Sequence, residues 1–423
     1  MVWPGGQPVI PSKAYGKAAD CDLLIVGAGM VGAVLALACG QAGLRVIVVD
    51  SQISAPPPPG GYDLRVSAFT LASRAIFRNL GIWDDLVARR VCPFREMQVW
   101  DSRGSGAIHF DAADLGEAQL GYIIENAAIA HAAHAHISRL PTVRYLCPVD
   151  LVRLEVNDAG VTAVLSDGKP VTAGLVVGAD GGRSQVRRLA GIDSRSGSYG
   201  QVAIVANVHT SVPHGEIARQ VFLAGGPLAF LPLCDANLSS IVWSCDSGHA
   251  TSLLGLEDTA FCRQLEEQFG DSLGRIGPVG ARAAFPLGFA HADHYVATRV
   301  ALVGDAAHRV HPLAGQGVNL GLLDVAALAE VTKNAFRCGR DIGAFGTLRR
   351  YERWRKGANF MMLEVTDAFK RVFGTDSPPV RAARNFGLTA ADAIVPVKRL
   401  IMRRAVGLDG DLPPLARVTR AAD

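Results

Sequence analysis

Residues 22–50 read D-L-L-I-V-G-A-G-M-V-G-A-V-L-A-L-A-C-G-Q-A-G-L-R-V-I-V-V-D. A short apolar run ends at Gly27, glycines recur at Gly29 and Gly32, an apolar helix pattern follows, and a second β-branched run closes on Asp50. Gly27 permits a tight turn, Gly29 lets the backbone approach a pyrophosphate, and Gly32 lets helix and strand pack closely. The free amides at the helix start carry partial positive charge and suit a phosphate. Asp50 falls about 20 residues beyond the glycines, where a ribose diol is held. G-x-G-x-x-G alone is common. Strand, helix, strand and terminal acid in register make a Rossmann-like α/β unit that binds a dinucleotide.

Residues 23–40 are apolar enough to imitate a membrane span or a signal-peptide core, but the three glycines and the strand pattern beyond argue against both. No second candidate span is found. The chain is therefore expected in the cytoplasm, with a peripheral position at the inner membrane as the alternative. Its 423 residues, 49% of them hydrophobic, can bury a large core and suggest two domains or one large interrupted one. A net charge of +3 is too small to point to nucleic acid. From Val325 onward 18 Lys/Arg stand against 10 Asp/Glu, so this end carries +8 and the remainder −5. Such a basic end fits an anionic membrane surface or a solvated helical face. The eight cysteines (Cys21, Cys39, Cys92, Cys147, Cys234, Cys245, Cys262, Cys338) form no C-x-x-C pair, and buried free thiols in a reducing compartment are the simplest reading. No acid or cysteine completes a ligand set with His131, His134 and His136, which read as surface histidines; no metal is expected.

A distant stretch answers the first. Residues 299–324 read R-V-A-L-V-G-D-A-A-H-R-V-H-P-L-A-G-Q-G-V-N-L-G-L-L-D. The 300–303 run is a strand ended by Gly304 and Asp305, which puts a carboxylate at the sheet edge where ligands of open α/β folds collect. Asp305 can accept a hydrogen bond there from a ribityl or ribose hydroxyl. Pro312 fixes the chain, Gly315 and Gly317 leave room for backbone to approach a flat ligand, and an apolar helix runs over 318–336. Its positive end suits a flavin, which is anionic when reduced. Residues 175–187, L-V-V-G-A-D-G-G-R-S-Q-V-R, repeat the strand, glycine turn and helix. Asp180 either faces a cofactor or caps the helix, and Arg183 and Arg187 offer cations to phosphate.

The pattern G-D-A-A-H-x-x-H-P-L-A-G-Q-G-x-N-L-G at 304–321 resembles the second FAD-binding motif of the class A flavoprotein aromatic hydroxylases, and its longer form is similar to the branch that acts in ubiquinone biosynthesis. The likeness covers nearly the whole chain after residue 20. It implies FAD as cofactor, held by Gly27, Gly29, Gly32, Asp50, Asp180, Gly304, Asp305, Gly315, Gly317, Val318 and Asn319. D-L-R-V-S-A at 63–68 is similar to a D-x-R-x-x-A motif that places Arg65 near the flavin. G-Y-I-I-E-N at 121–126 is similar to the segment before a cofactor-facing helix and adds Asn126, although Ala127 stands where a basic residue often follows. The same resemblance implies the chemistry: NADPH or NADH as transient electron donor, O2, a flavin C4a-hydroperoxide, and oxygen transfer to a polyprenylated phenol or benzoquinol. His311, Pro312, Gly315 and Gln316 would shape the oxygen-reacting side, with His308 and His311 as proton shuttles.

Residues 63–81 read as a helix, 97–101 and 107–110 as a hairpin, and 126–139 as a helix. Short β-branched and aromatic runs between 197 and 247 suggest an antiparallel sheet over the flavin, with Phe222, Phe230, Leu231, Pro232 and Trp243 as its substrate wall. The expected fold class is α/β: a Rossmann-like FAD-binding domain (20–95, 119–195 and 297–340) interrupted by an antiparallel substrate sheet (96–118 and 196–296). A flexible tail (1–19) precedes it and a helical region (341–423) follows. The basic and apolar faces of those helices could rest on a bilayer that dissolves a polyprenyl substrate, or within a ubiquinone-biosynthesis complex. A hydroxylase or epoxidase of a small soluble substrate and a flavin-retaining structural subunit are the competing readings.

Overall fold

The computed structural model describes residues 19–58, 60–310, 316–375 and 377–418, so nearly all of the expected tail lies outside the described residues. The chain opens with β1 (Cys21–Val26), α1 (Met30–Gln41) and β2 (Val46–Val49). Next come β3 (Val66–Phe69), α2 (Leu71–Asn79), α3 (Trp83–Arg89), β4 (Cys92–Phe94), β5 (Glu96–Asp101), β6 (Ala107–Asp111), β7 (Gly121–Glu125) and α4 (Asn126–Ile137). β8 (Val143–Leu146), β9 (Leu151–Asn157), β10 (Gly160–Leu165), β11 (Pro170–Gly178) and α5 (Gln185–Leu189) lead into β12 (Ser194–Thr210), β13 (Ile217–Leu223), β14 (Gly226–Pro232) and β15 (Leu238–Asp246). α6 (Ser247–Leu254), α7 (Asp258–Phe269), β16 (Ile276–Ala292), β17 (Val296–Ala297), β18 (Val300–Leu302) and β19 (His308–Arg309) follow. Four helices close the chain: α8 (Gln316–Arg337), α9 (Phe345–Gly374), α10 (Pro378–Ala393) and α11 (Val395–Ala405).

One sheet runs in the order β17-β18-β11-β1-β2-β8, with β10 and β9 branching from β11. β18, β11, β1, β2 and β8 are parallel. Parallel strands covered on both faces read as unbroken apolar runs, and every residue of β1 and β2 is buried. α1 is buried continuously from Gly32 to Gly40, which explains its membrane-like composition: a helix enclosed on all sides has no polar face to show. Among the described residues no helix is long and apolar enough to cross a membrane.

A second sheet has the order β19-β16-β12-β15-β14-β13-β5-β6. Its alternation decides what each strand residue touches. Ile204, Ala206, Val208, Leu228, Phe230, Ile241 and Trp243 point one way, into a core closed by Phe261, Leu265 and Phe269 of α7. Leu231 lies on the other face and packs against the core of the parallel sheet. Where short strands were expected, β12 and β16 each run 17 residues and pair along much of their length.

Two expectations are corrected. Residues 66–69 are not helical: they form β3, paired with β7, and the helix starts only after Thr70, whose hydroxyl accepts from the Ser73 amide. Cross-strand pairing overrides the local helical pattern there. The cysteines are not all free: Cys92 and Cys234 form a disulfide with Cα atoms 4.9 Å apart, joining β4 to the end of β14 across 142 residues that no spacing rule connects. Cys21, Cys39, Cys245 and Cys262 are free and buried. Burial pushes the Cys39 thiol up to about 12, so it behaves as an apolar side chain.

The carboxy-terminal helices strap the antiparallel sheet. Arg384 of α10 is buried against Asp101 of β5, its Nε 2.6 Å and its Nη2 3.0 Å from the two carboxylate oxygens. Asn385 accepts from the Gly106 amide at 2.6 Å, and a Cβ at Gly104 or Gly106 would collide with it. Phe373 of α9 stacks on Phe222 with ring centroids 3.8 Å apart. Burial alone would raise the Asp101 carboxyl, but Arg384 and its amide partners hold it below the usual value of 3.8. With the folded value depressed, the pair contributes stability above pH ~3.8 that is lost as pH falls below it. Breaking such a pair leaves a buried charge uncompensated, at about 3–5 kcal/mol. Arg384→Ala is therefore expected to detach α10. Limited proteolysis should cut within residues 375–395 under conditions that spare the unmodified protein, while the amino-terminal sheet stays intact; equal protection of both proteins would contradict this.

Candidate active site

The turns that follow β2, β1, β11 and β18 lie side by side along the carboxyl edge of the parallel sheet, in the strand order that sheet imposes. They carry Asp50, Gly27 to Gly29, Asp180 and Asp305 respectively. β1 sends its connection one way to β2 while β11 lies on its other side, so its end is a topological switch point, where such sheets bind ligands.

The first turn is built by close approach. Gly27 adopts φ +99°, and a Cβ there would sit 2.4 Å from the Ala179 carbonyl oxygen; one on Gly32 would sit 1.9 Å from the Gly27 oxygen. Gly29 differs. It has ordinary dihedrals, and a Cβ on it would meet nothing within 4 Å. It is the N-cap of α1, which has no side-chain cap and no acid in its first turn. The positive end of a twelve-residue helix therefore faces open space, ready for an anion. Asp50 braces the turn by accepting from the Ala28 amide at 2.6 Å and the Gln52 amide at 2.9 Å, with lone pairs remaining for a hydroxyl.

Asp180 caps the turn into α5 from the end of β11. Oδ2 accepts from the Gln185 and Val186 amides at 2.6 and 3.1 Å, while Oδ1 is buried with no hydrogen-bond partner among the described residues. Arg187 is not offered to phosphate: it donates to the Ala306 and Gly182 carbonyls, tying the β11 turn to the β18 turn. Arg183 is exposed. Gly304, at φ +59°, begins the last turn, and a Cβ on it would press on Val31 of α1 at 3.3 Å. The Asp305 side chain is exposed at this turn, with protein crowding close around it. That crowding pushes its carboxyl up, partly offset by His308, Arg309 and Arg65. Arg65 is exposed, its guanidinium 5.1 Å from the Phe285 ring centroid, and its carbonyl accepts from the Asn126 amide.

Not every candidate is placed alike. The Asn319 side chain is buried as a peg between elements: Oδ1 accepts from the Thr70 amide and Ser73 hydroxyl, and Nδ2 donates to the Ala68 carbonyl. Gly317 and Val318 lie in the first turn of α8, half-buried. His311, Pro312 and Gly315 lie outside the described residues, as does the side chain of Gln316. Of the expected wall, Phe230 and Trp243 are corrected to plain core, on the sheet face turned toward α7; Phe230 packs 4.0 Å from Phe269. Phe222 is covered by Phe373, Leu231 faces the parallel sheet, and Pro232 ends β14 buried. The histidine reading is corrected in part. His131 is exposed, but His134 touches the Ala28 carbonyl at 2.8 Å, bracing the glycine turn, and His136 pairs with Asp85 at 2.6 Å.

The residues missed are those behind the last turn: Asp324, Arg355 and Asn359, all buried. A lone acid in the apolar run L-G-L-L-D-V-A-A-L was the available signal; its partners on α9 share no spacing with it.

An open helix end, an orphaned carboxylate oxygen and acids in line along one edge fit a dinucleotide with two phosphates and several hydroxyls. Comparison with known proteins bears on which one. A family model described as an FAD binding domain matches residues 20–337, and the chain belongs to this family of FAD-dependent monooxygenases. It is 43% identical to the ubiquinone hydroxylase UbiL of Rhodospirillum rubrum, over 95% of this chain and 94% of that one. It is 38% identical to the 3-demethoxyubiquinol 3-hydroxylase of Escherichia coli, over 92% and 98%. Among solved structures it resembles p-nitrophenol 4-monooxygenase PnpA of Pseudomonas putida, with TM-score 0.75 and 23% identity over 94% and 99%, a likeness of fold.

Two substitutions separate cofactor binding from folding. Gly29→Ala places its added Cβ in open space, so it should still fold and weaken FAD binding at least tenfold. Gly32→Ala has no room and should fail to fold. Asp305→Ala should purify colourless. Flavin absorbance and fluorescence titration check all three; a yellow Asp305→Ala protein would remove that acid from the site.

Proposed function

We propose that this enzyme hydroxylates the aromatic ring of a polyprenylated phenol or benzoquinol in ubiquinone biosynthesis, with NADPH or NADH as the transient donor. The observation that carries the reading is the row of four cofactor-type turns on one sheet edge, in a chain similar over more than nine-tenths of its length to two named ubiquinone hydroxylases. FAD, when bound, supplies the redox and oxygen chemistry. The chain's own part is to hold and orient. The open end of α1 would receive pyrophosphate charge, Asp50 a ribose diol, and Asp305 a ribityl hydroxyl. Arg65 supplies a cation near Asp305. The antiparallel sheet excludes water with its inward face, on which Leu231 lies.

In this reading residues 20–95, 119–195 and 297–340 serve the cofactor, and 96–118 and 196–296 roof the substrate. Residues 311–316 are kept as the oxygen-reacting segment on resemblance alone. Residues 341–423 meet the membrane peripherally, because α9 to α11 leave large apolar side chains uncovered: Phe360 is 51% exposed, Phe386 75%, Val395 53% and Leu400 49%. Arginines at 381, 399, 403 and 404 lie among them, a mixture suited to an anionic bilayer.

Purified enzyme is expected to oxidise NADPH or NADH faster when a prenylated phenol is added, with one oxygen atom from O2 appearing in the product by mass spectrometry. Stimulation by small soluble phenols alone would contradict the substrate class. Phe386→Ser with Leu400→Ser should abolish co-sedimentation with anionic liposomes and leave FAD content unchanged.

A further inference from the structure

Behind the Gly304–Ala306 turn lies a closed polar cluster of which only His308 has been given a role above, as a proton shuttle. Asp324 of α8 is fully buried, with relative exposure 0%. Its Oδ2 accepts from His308 Nε2 at 2.5 Å and from the Gly304 amide at 3.2 Å. Its Oδ1 accepts from Arg355 Nε at 3.0 Å and Asn359 Nδ2 at 2.9 Å, and Arg355 Nη2 donates to Asn359 Oδ1 at 2.8 Å. The opposing charges hold the Asp324 carboxyl below its usual range although burial alone would raise it.

The surroundings are equally ordered. The Tyr295 ring lies 5.7 Å from His308, and its hydroxyl meets His291 at 3.2 Å. The Tyr351 hydroxyl donates to the carbonyl of Leu302, the last residue of β18. Burial first, then His308 and, more weakly, Lys356 and Arg195 pull His291 down to about 4, so it is neutral near pH 7. Nδ1 of His308 is buried without a hydrogen-bond partner among the described residues.

Burying this many charged groups is costly, and well-packed apolar side chains of similar size would often stabilise a core as well or better. A fold that keeps them gains something besides stability. What they touch indicates what: Asp324 grips the amide of the very glycine that sets the turn carrying Asp305, and binds His308, three residues on from that acid. β19, which holds His308, also pairs with β16, with His308 opposite His291, so the cluster sits where the two large sheets meet.

We propose that Asp324, Arg355 and Asn359 are positioning residues that fix the Gly304–Asp305 turn and His308 and set, by their charge balance, how readily bound FAD accepts electrons. α9 thereby supports the cofactor turn from behind. The proposal rests on the FAD reading given above.

Removing a charge tests it by sign. Asp324→Asn deletes a buried negative charge, so the electron-rich reduced flavin is favoured and the midpoint potential rises. Arg355→Met deletes a positive charge, so it falls. At an effective dielectric of about 20 and a separation of roughly 10 Å, one charge alters the oxidised-to-reduced ratio about tenfold, or about 30 mV for a two-electron couple. Potentials are read by dye-equilibrated reduction of the FAD-loaded proteins, with FAD affinity measured beside them. A cluster that only holds the fold together would shift both variants the same way or not at all, and that result overturns the proposal. Should Asp324→Asn fail to fold, Arg355→Lys supplies the second arm: it keeps the charge and should restore the potential that Arg355→Met lowers, and failure to restore it counts against the proposal. If the unmodified protein bound no FAD, the cofactor reading itself would fail, an outcome distinct from these.

Discussion

Everything in this molecule depends on backbone meeting backbone at the ends of β1 and β11. Gly32 has no space for a side chain because the Gly27 carbonyl fills it, and Gly27 has none because the Ala179 carbonyl does. That contact brings the glycine turn and the Asp180 turn together at the centre of the sheet edge. Gly321 of α8 extends the same logic: a Cβ there would meet Val31 at 3.0 Å and the Gly304 Cα at 3.2 Å, so α8 packs directly on the Gly304 turn and on α1. Four turns separated by up to 278 residues in sequence thus share one edge, and an uncapped helix end faces it. Cofactor binding follows from packing constraints before any side chain contributes.

The second sheet and the carboxy-terminal helices hold that edge in place. The Asp101–Arg384 pair fixes α10 to the β5–β6 hairpin, Phe373 covers Phe222, and the Asp324 cluster fastens α9 to the Gly304 turn. Helices that look peripheral in the sequence therefore reach both the antiparallel sheet and the back of the Gly304 turn. Their outward faces remain apolar and basic, so one segment joins the catalytic centre to the surface proposed to meet lipid.

Sequence legibility followed the range of the forces involved. The parallel strands, α1 and the cofactor turns were readable because their determinants are local: continuous apolar runs, glycines required by close approach, and an acid at the strand end. The turn acids fall on one edge because strand order in such folds is constrained. Residues 66–69 were misread because pairing with β7, more than fifty residues away, outweighs a local helical pattern. Phe230 and Trp243 were assigned to the wrong side because β-strand parity, which composition does not reveal, turns them toward α7. The Cys92–Cys234 link, the Asp324–Arg355 pair and the role of His134 at the glycine turn are contacts between distant segments, invisible to any spacing rule.

The central claim is that one extended dinucleotide lies along this edge, gripped at the adenosine end by the glycine turn and Asp50 and at the flavin end by Asp305. Calorimetric titration of the flavin-free protein with FAD and, separately, with FMN tests it most directly, because FMN lacks the half that the α1 end and Asp50 would hold. FAD binding at least a hundredfold tighter than FMN is predicted. Equal affinity for the two would contradict the account.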